Sequence, residues 1–501
     1  MAVQVTFPGV YISEDASLAL SISGRSTAIP VFVGVFAPRS GVPVMECVRV
    51  ENWMDFLSRF YAQVLVARFT AGEVIEEKGT KSRKKKSTSI EEQSELVARA
   101  PDFTLKEVGL ALGSFSLRHY FENGGGTCYV LSLVGADYEV AVEKLAPAIA
   151  AVPDITLLVY CEYLKALEDT KVYQALNALL LDNKGYFLIA DSPDGATLAG
   201  LELTQTAAYY PAFETHYKRP SLYNGLEVDL SATEVFLKDF EGFTYPTLTA
   251  LKAVVDGENP SAGDVGIYNA LVIEVEEALT SYSDAPLYLR ASPAMAGLYA
   301  MTDRTRGVWK APANISVAGV KSLVEIKGTA ATATPAFMTP TKLGDVHAAG
   351  VNAIRSFSDK GVMVWGARTL KGTTENSDLR WIHVPVRRLF NSVERDVKAA
   401  LGKAMFEPNH SGTWETVRAA IDNYLCALWQ EGALQGKKPE EAYFVQVGLG
   451  VTMTPQDLDD GNLIVEIGLA AVRPVEFVIL RFTQNIEQVG SKALTEVGNY
   501  V

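Results

Sequence analysis

At 501 residues, 48% hydrophobic and 21% charged, the chain can bury a large core and should divide into two or more domains. Its formal net charge of −14 excludes general affinity for nucleic acid or an anionic membrane, since both reward basic surface. No run approaches the roughly 18 apolar residues of a membrane span, and no basic n-region precedes an apolar core at the N-terminus, so folding is expected in the cytoplasm of the producing cell without direct membrane insertion.

In chain order, Val3, Val5 and Phe7 alternate until Pro8-Gly9 breaks the pattern, and Val10-Tyr11-Ile12 then lead into a Ser/Ala stretch. Residues 1–22 therefore predict a short strand with a flexible arm, too thin to bury itself and in need of a partner. Apolar runs follow at Val31–Phe36, Cys128–Val134, Ile155–Cys161 and Tyr186–Ala190, separated by helical periodicity such as Glu162–Leu181. Short apolar strands alternating with helices predict an α/β domain with a largely parallel sheet.

Two segments read as inserts. The first, about 62–103, holds the run KSRKKKSTS (Lys81–Ser89) followed by Glu91, Glu92 and Glu95. A run this polar cannot bury a core, so a solvated loop outweighs a phosphate-binding patch. The second, about 221–286, carries twelve acidic residues against Lys238 and Lys252, a local balance of −10. It belongs on an exposed surface; a calcium loop is disfavoured because no DxDxDG-like pattern occurs in it.

The last third changes character. Leu389, Phe390, Val393, Val397 and Leu401 recur at helical spacing, with Glu394 and Lys398 at i,i+4 on another face. A second helix is predicted from the stripe Trp414, Val417, Ile421, Leu425 and Trp429, stopping at Gly432 and Gly436. Three β-rich runs follow, Tyr443–Val447, Leu463–Leu469 and Val475–Phe482, completing a small α+β domain. The tail Ile486–Val501 is too sparse in apolar residues to be a core element alone.

Catalytic patterns are missing: there is no GxSxG, HExxH or GxxxxGK[ST]. Gly124-Gly125-Gly126 precedes a β-like run rather than a helix, which favours a tight turn over a phosphate cradle. The five histidines (119, 216, 347, 383, 410) share no short spacing, and Cys47, Cys128, Cys161 and Cys426 form no CxxC pair, so no metal site or cofactor is predicted and the thiols read as buried and free. Asp191, Asp194 and Gly195 lie where a parallel strand should end, the place of catalytic carboxylates in α/β enzymes; without a partner base they read as capping and turn residues. His383 reads as a packed or surface histidine, and Arg387-Arg388 as solvated helix-face charges.

Several blocks together carry a family resemblance: VTFPGVYISE (Val5–Glu14), NAIRSFSDKGVMVWGARTL from Asn352, VPVRRLFNSVERDV, FEPN, LCALWQEGALQG and GLAAVRPVEFVILRF (Gly468–Phe482). The chain resembles the sheath proteins of contractile phage tails and related bacterial injection systems. NGGGTCYV, AAYYPAF (Ala207–Phe213) and RGVWKAPAN (Arg306–Asn314) look like the family's outer-domain blocks; Ala471 stands where proline is commoner, and the two inserts are further departures.

The resemblance implies a multidomain α/β and α+β fold, an outer α/β domain inserted into an inner α+β domain formed by the two chain ends. The expected division is an arm at 1–22, an outer domain at 23–344 carrying both inserts, an inner domain at 345–485 facing the tube and an arm at 486–501. It further implies a non-enzymatic subunit of stacked hexameric rings that contracts to drive a tube through a target envelope. The implied partners are other copies of the chain, an inner tube protein, and baseplate and tail terminator or cap proteins, in a phage tail or an assembled injection particle. Arms of neighbouring subunits would add strands to inner-domain sheets, here through Val3, Val5, Phe7, Val489, Leu494 and Val497. Tube contact is expected from Arg387, Arg388, Glu394, Arg395 and Lys398. The competing readings are a cytoplasmic α/β hydrolase-like or nucleotide-binding enzyme, and another structural protein of the same particle.

Overall fold

The apolar runs of the first half become strands because each is short, rich in β-branched and aromatic residues, and covered on both faces. A computed structural model describes residues 21–71, 103–133, 138–163, 166–181, 185–218, 233–238, 247–257, 259–282, 286–326, 333–373, 380–402, 405, 407–474 and 476. The chain opens with β1 (Pro30–Gly34), β2 (Val48–Val50), α1 (Trp53–Arg59), β3 (Gln63–Ala71), β4 (Phe103–Leu110), α2 (Gly113–Glu122) and β5 (Cys128–Ser132). It continues through α3 (Tyr138–Ala150), β6 (Leu157–Tyr160), α4 (Ala166–Leu181), β7 (Phe187–Asp191), β8 (Thr206–Tyr210), β9 (Ala212–Lys218) and β10 (Thr233–Lys238). Then come α5 (Leu248–Val255), α6 (Ala262–Tyr282), β11 (Pro286–Leu289), α7 (Ser292–Arg306), β12 (Ile315–Ser316), β13 (Val320–Ile326), β14 (Ala333–Pro335), α8 (Pro340–Ala348), β15 (Val351–Phe357) and β16 (Gly361–Val364). The last part holds α9 (Val384–Leu401), α10 (Ser411–Gln430), α11 (Pro439–Ala442), β17 (Tyr443–Val447), α12 (Pro455–Asp459) and β18 (Val465–Leu469).

Nine strands form one sheet in the order β12-β16-β15-β8-β7-β6-β1-β5-β2. The stretch from β15 to β5 is parallel, and β2 and β16 close it antiparallel. Strand periodicity sends Phe32, Val130, Val159 and Ile189 to one face, under α2 and α7, and Val31, Leu131, Leu158 and Leu188 to the other, with α3 and α4. A four-stranded sheet, β11-β9-β13-β14, lies beside this core.

Three expectations are corrected. The boundary at 345 cuts the large sheet, because β15 pairs in parallel with β8 (Val351 opposite Ala208) and β16 follows it; the change to the helical domain comes just before α9. The inserts are not two separate surface segments: β10 pairs with β3, β3 with β4, and α5 and α6 pack on β10 and β4, so both contribute to one small module. Pairing between strands so far apart leaves no local trace in sequence. Glu162, read as the start of a helix, instead ends the β6 segment, and α4 begins at Ala166. The Lys81–Ser89 run lies outside the described residues.

In the C-terminal domain, Leu389, Val393 and Val397 of α9 pack on Val417, Ile421 and Leu425 of α10, with Tyr443 of β17 closing the cluster. Ile22 packs on the same cluster, so the start of the described chain rests on the C-terminal domain. Of the third β-rich run, only Glu476 is described.

Candidate assembly surface and domain junction

The face of α9 opposite its apolar stripe was expected to meet solvent or tube. Its first turn, with Arg387 and Arg388, is turned inward instead. Arg388 donates to Asp303 of α7 through Nη1 at 3.0 Å and Nη2 at 2.6 Å, and through Nη2 to the Thr27 carbonyl at 3.1 Å. Its guanidinium lies over the Tyr299 ring, 4.7 Å from the centroid, and the Tyr299 hydroxyl is 2.8 Å from that of Tyr209. The Thr27 hydroxyl donates to the same Asp303 carboxylate. Arg387 donates to Asn391 at 2.8 Å, covers Trp381 at 4.4 Å and pairs with Glu394 at 3.6 Å. Arg395 donates to the Ser26 carbonyl at 2.8 Å, and Asp396 accepts from Tyr424 at 2.9 Å. Burial pushes Arg387 and Arg395 below the usual arginine range and raises the Asp396 carboxyl.

Arg387 and Arg388 are therefore committed inside the subunit, which corrects both their reading as solvated charges and their place among tube-facing residues, whereas Arg395 is only half-buried. The reason is that a guanidinium can be buried when carbonyls, a carboxylate and aromatic faces satisfy it together. Glu394 and Lys398 remain exposed. The arm residues Val3, Val5, Phe7, Val489, Leu494 and Val497 lie outside the described residues. At the other end of the domain, Arg368 donates to Glu476 at 2.9 Å, with the buried His383 ring 3.5 Å from that carboxylate; burial lowers the pKa of His383.

The large sheet has strand order β5-β1-β6-β7-β8, so successive connections reverse direction between β1 and β6, where doubly wound enzymes bind ligands. Here the chain fills that crevice itself. The Glu162 carboxylate accepts from the amides of Val35 at 2.9 Å, Leu112 at 2.8 Å and Gly113 at 2.8 Å, the last two at the start of α2. Burial pushes its pKa up to about 7 against the pull of these amides and of Arg290. Asp191 accepts from the Ser292 amide at 2.8 Å and hydroxyl at 2.6 Å, capping α7, while Asp194 accepts from the Ala196 amide at 2.9 Å beside Gly195 at φ +82°. Both are thus capping and turn residues. Gly124, at φ +88°, turns the chain into β5. Among the described residues no group of three or more His, Cys, Asp or Glu could hold a metal, and no helix is long and apolar enough to cross a membrane.

The C-terminal domain presents an open sheet. β17 and β18 pair from Tyr443–Leu469 to Val447–Val465, with no third strand among the described residues. Tyr443 and Val447 point into the core, whereas Phe444 is 48% exposed and lies across from Gly468, where a Cβ would strike its ring. Leu449, Val451 and Ile464 are exposed nearby in sequence. A two-stranded ribbon of this kind is marginal alone and invites further strands. Sequence alternation revealed the strands but not their surroundings: just past β18, Ala471 bridges Leu434 and the Gln435 amide donates to the Ala470 carbonyl at 2.7 Å.

Residues 376–485 match the phage tail sheath C-terminal domain family. The chain is 34% identical to a protein in the helical sheath of the anti-feeding prophage in its contracted state, covering 96% of this chain and 100% of that one, with a TM-score of 0.64. It is 32% identical to a chain of the PVC sheath complex, an extracellular contractile injection system in the contracted state, covering 97% and 100%, with a TM-score of 0.57. The tail sheath protein of Vibrio phage KVP40 is 24% identical over 232 residues; that match takes in 46% of this chain and 31% of the length of the phage protein. The class these matches share is the structural sheath protein of contractile machines. This chain belongs to the contractile tail sheath family.

Proposed function

We propose that the chain is a sheath subunit of a phage tail or phage-tail-like injection system, assembling with copies of itself as stacked hexameric rings around an inner tube and contracting to drive that tube through a target envelope. The observation that carries this reading is the 34% identity over 96% of the chain to the anti-feeding prophage sheath. The open β17–β18 ribbon supports arm exchange: arms built on Val3, Val5 and Phe7, and on Val489, Leu494 and Val497, would add strands there and keep subunits linked while they rotate. Baseplate and terminator proteins are the further partners, and the particle would be assembled in the bacterial cytoplasm. An α/β hydrolase or nucleotide-binding enzyme would need the crevice that Glu162 occupies, which argues against that alternative.

Negative-stain electron microscopy of the full chain beside a variant lacking residues 1–22 tests the proposal. Hollow tubules from the full chain that disappear on truncation are expected. Monomers from both would remove arm-linked assembly.

A further inference from the structure

Both contributions to the small module return to the large sheet domain at the same place. β4 ends at Leu110 just before α2, and β11 ends at Leu289 just before α7. The segment following β6 grips both returns. The Glu162 carboxylate holds the amides of Leu112 and Gly113, and bridges them to Val35 beyond β1. Its carbonyl accepts from Arg290 Nε at 2.5 Å, and Arg290 Nη2 donates to Asp169 at 2.6 Å. Tyr160 and Tyr163 face the guanidinium at 4.8 Å and 4.3 Å. Glu162 and Arg290 are only 3% and 4% exposed.

A helix N-terminus at a topological switch point ordinarily receives an external anion, because its free amides and dipole favour negative charge. Here three amides converge on a side-chain carboxylate. Holding an ion in that dry position carries a desolvation cost, which the three converging amides and Arg290 offset in part, so the ion is held only where all three amides meet it.

We propose that Glu162 is a built-in anion that fixes the module on the large sheet domain through Leu112 and Gly113, with Arg290 holding the second return. Removing the side chain should then leave a site for a small carboxylate from solution. The inference is independent of the sheath reading, because it is measured on the unassembled chain.

The test is hydrogen–deuterium exchange at pH 8 on full-length wild type, Glu162→Gln and Glu162→Ala, the last with and without sodium formate at constant ionic strength. In both variants exchange around residues 111–115 and in β3, β4 and β10 should rise about tenfold or more, the scale of a lost charge-assisted hydrogen bond, while β6, β7 and β8 keep their protection. Formate should restore protection saturably in Glu162→Ala and not in Glu162→Gln, whose amide still fills the space. Unchanged exchange, or an equal rise throughout the large sheet, would overturn the proposal, as would no formate effect in a folded Glu162→Ala. If Glu162→Ala does not fold, the local or general pattern in Glu162→Gln decides.

Discussion

Asp303→Asn offers a sharp test of the junction, because it keeps the shape of the side chain and removes its charge. The side chains of Arg388 and Asp303 are 3% and 7% exposed, and the pair is joined by two hydrogen bonds and shares Thr27. Removing one partner of such a buried pair leaves a dry, uncompensated guanidinium and costs about 3–5 kcal/mol. The exposed Arg418–Glu415 pair, at 38% and 66%, provides the control: Glu415→Gln should cost no more than about 1 kcal/mol. The double replacement Arg388→Met with Asp303→Leu should recover most of the loss, since no charge is then left buried. Because the pair joins α9 to α7, calorimetry of the unassembled Asp303→Asn chain should show the C-terminal domain melting ahead of the large sheet. Urea unfolding followed by tryptophan fluorescence gives the magnitude, read separately for each transition. An Asp303→Asn loss within about 0.5 kcal/mol of the Glu415→Gln control would refute the argument that burial makes this pair costly to break.

Three further outcomes are expected. Glu162 has a folded pKa raised from 4.5 to about 7, so its contribution to stability is fully present below about pH 4.5 and lost as pH rises through about 7; comparing wild type with Glu162→Gln across that range should reveal a pH-dependent difference of about 2–4 kcal/mol. Leu425→Ala should destabilise the C-terminal domain by about 2–5 kcal/mol, seen in its urea midpoint, because Leu425 is fully buried between α10 and α9. Reversing the exposed charge of Lys398 on α9, Lys398→Glu, should leave the unassembled chain's melting temperature unchanged while reducing recovery of tube protein with sedimented sheath; unchanged recovery would remove Lys398 from the tube contact.

Local pattern was legible where one element decides its own burial. Val31, Val33, Leu158 and Leu188 announce strands covered on both faces, and the 3.6-residue stripes of α9 and α10 identify the faces that meet. What sequence concealed depends on distant neighbours. Arg388 read as a solvent charge because Asp303 and Tyr299 are far away in the chain. β3 and β10 gave no sign that they would pair, and Val351 gave none that it would join β8 rather than a second domain. Glu162 directly follows a fully apolar strand, which was a usable hint, yet only the converging amides reveal its role.

The shared module has a practical consequence for remodelling this chain. Because β3 lies between β10 and β4, cutting out only the later insert would strip one hydrogen-bonding edge of β3 and leave it open to unintended pairing. Grafting a foreign loop, shortening the chain or transplanting the module onto a relative should therefore treat residues 62–110 and 219–285 as one cassette, exchanged together or left alone.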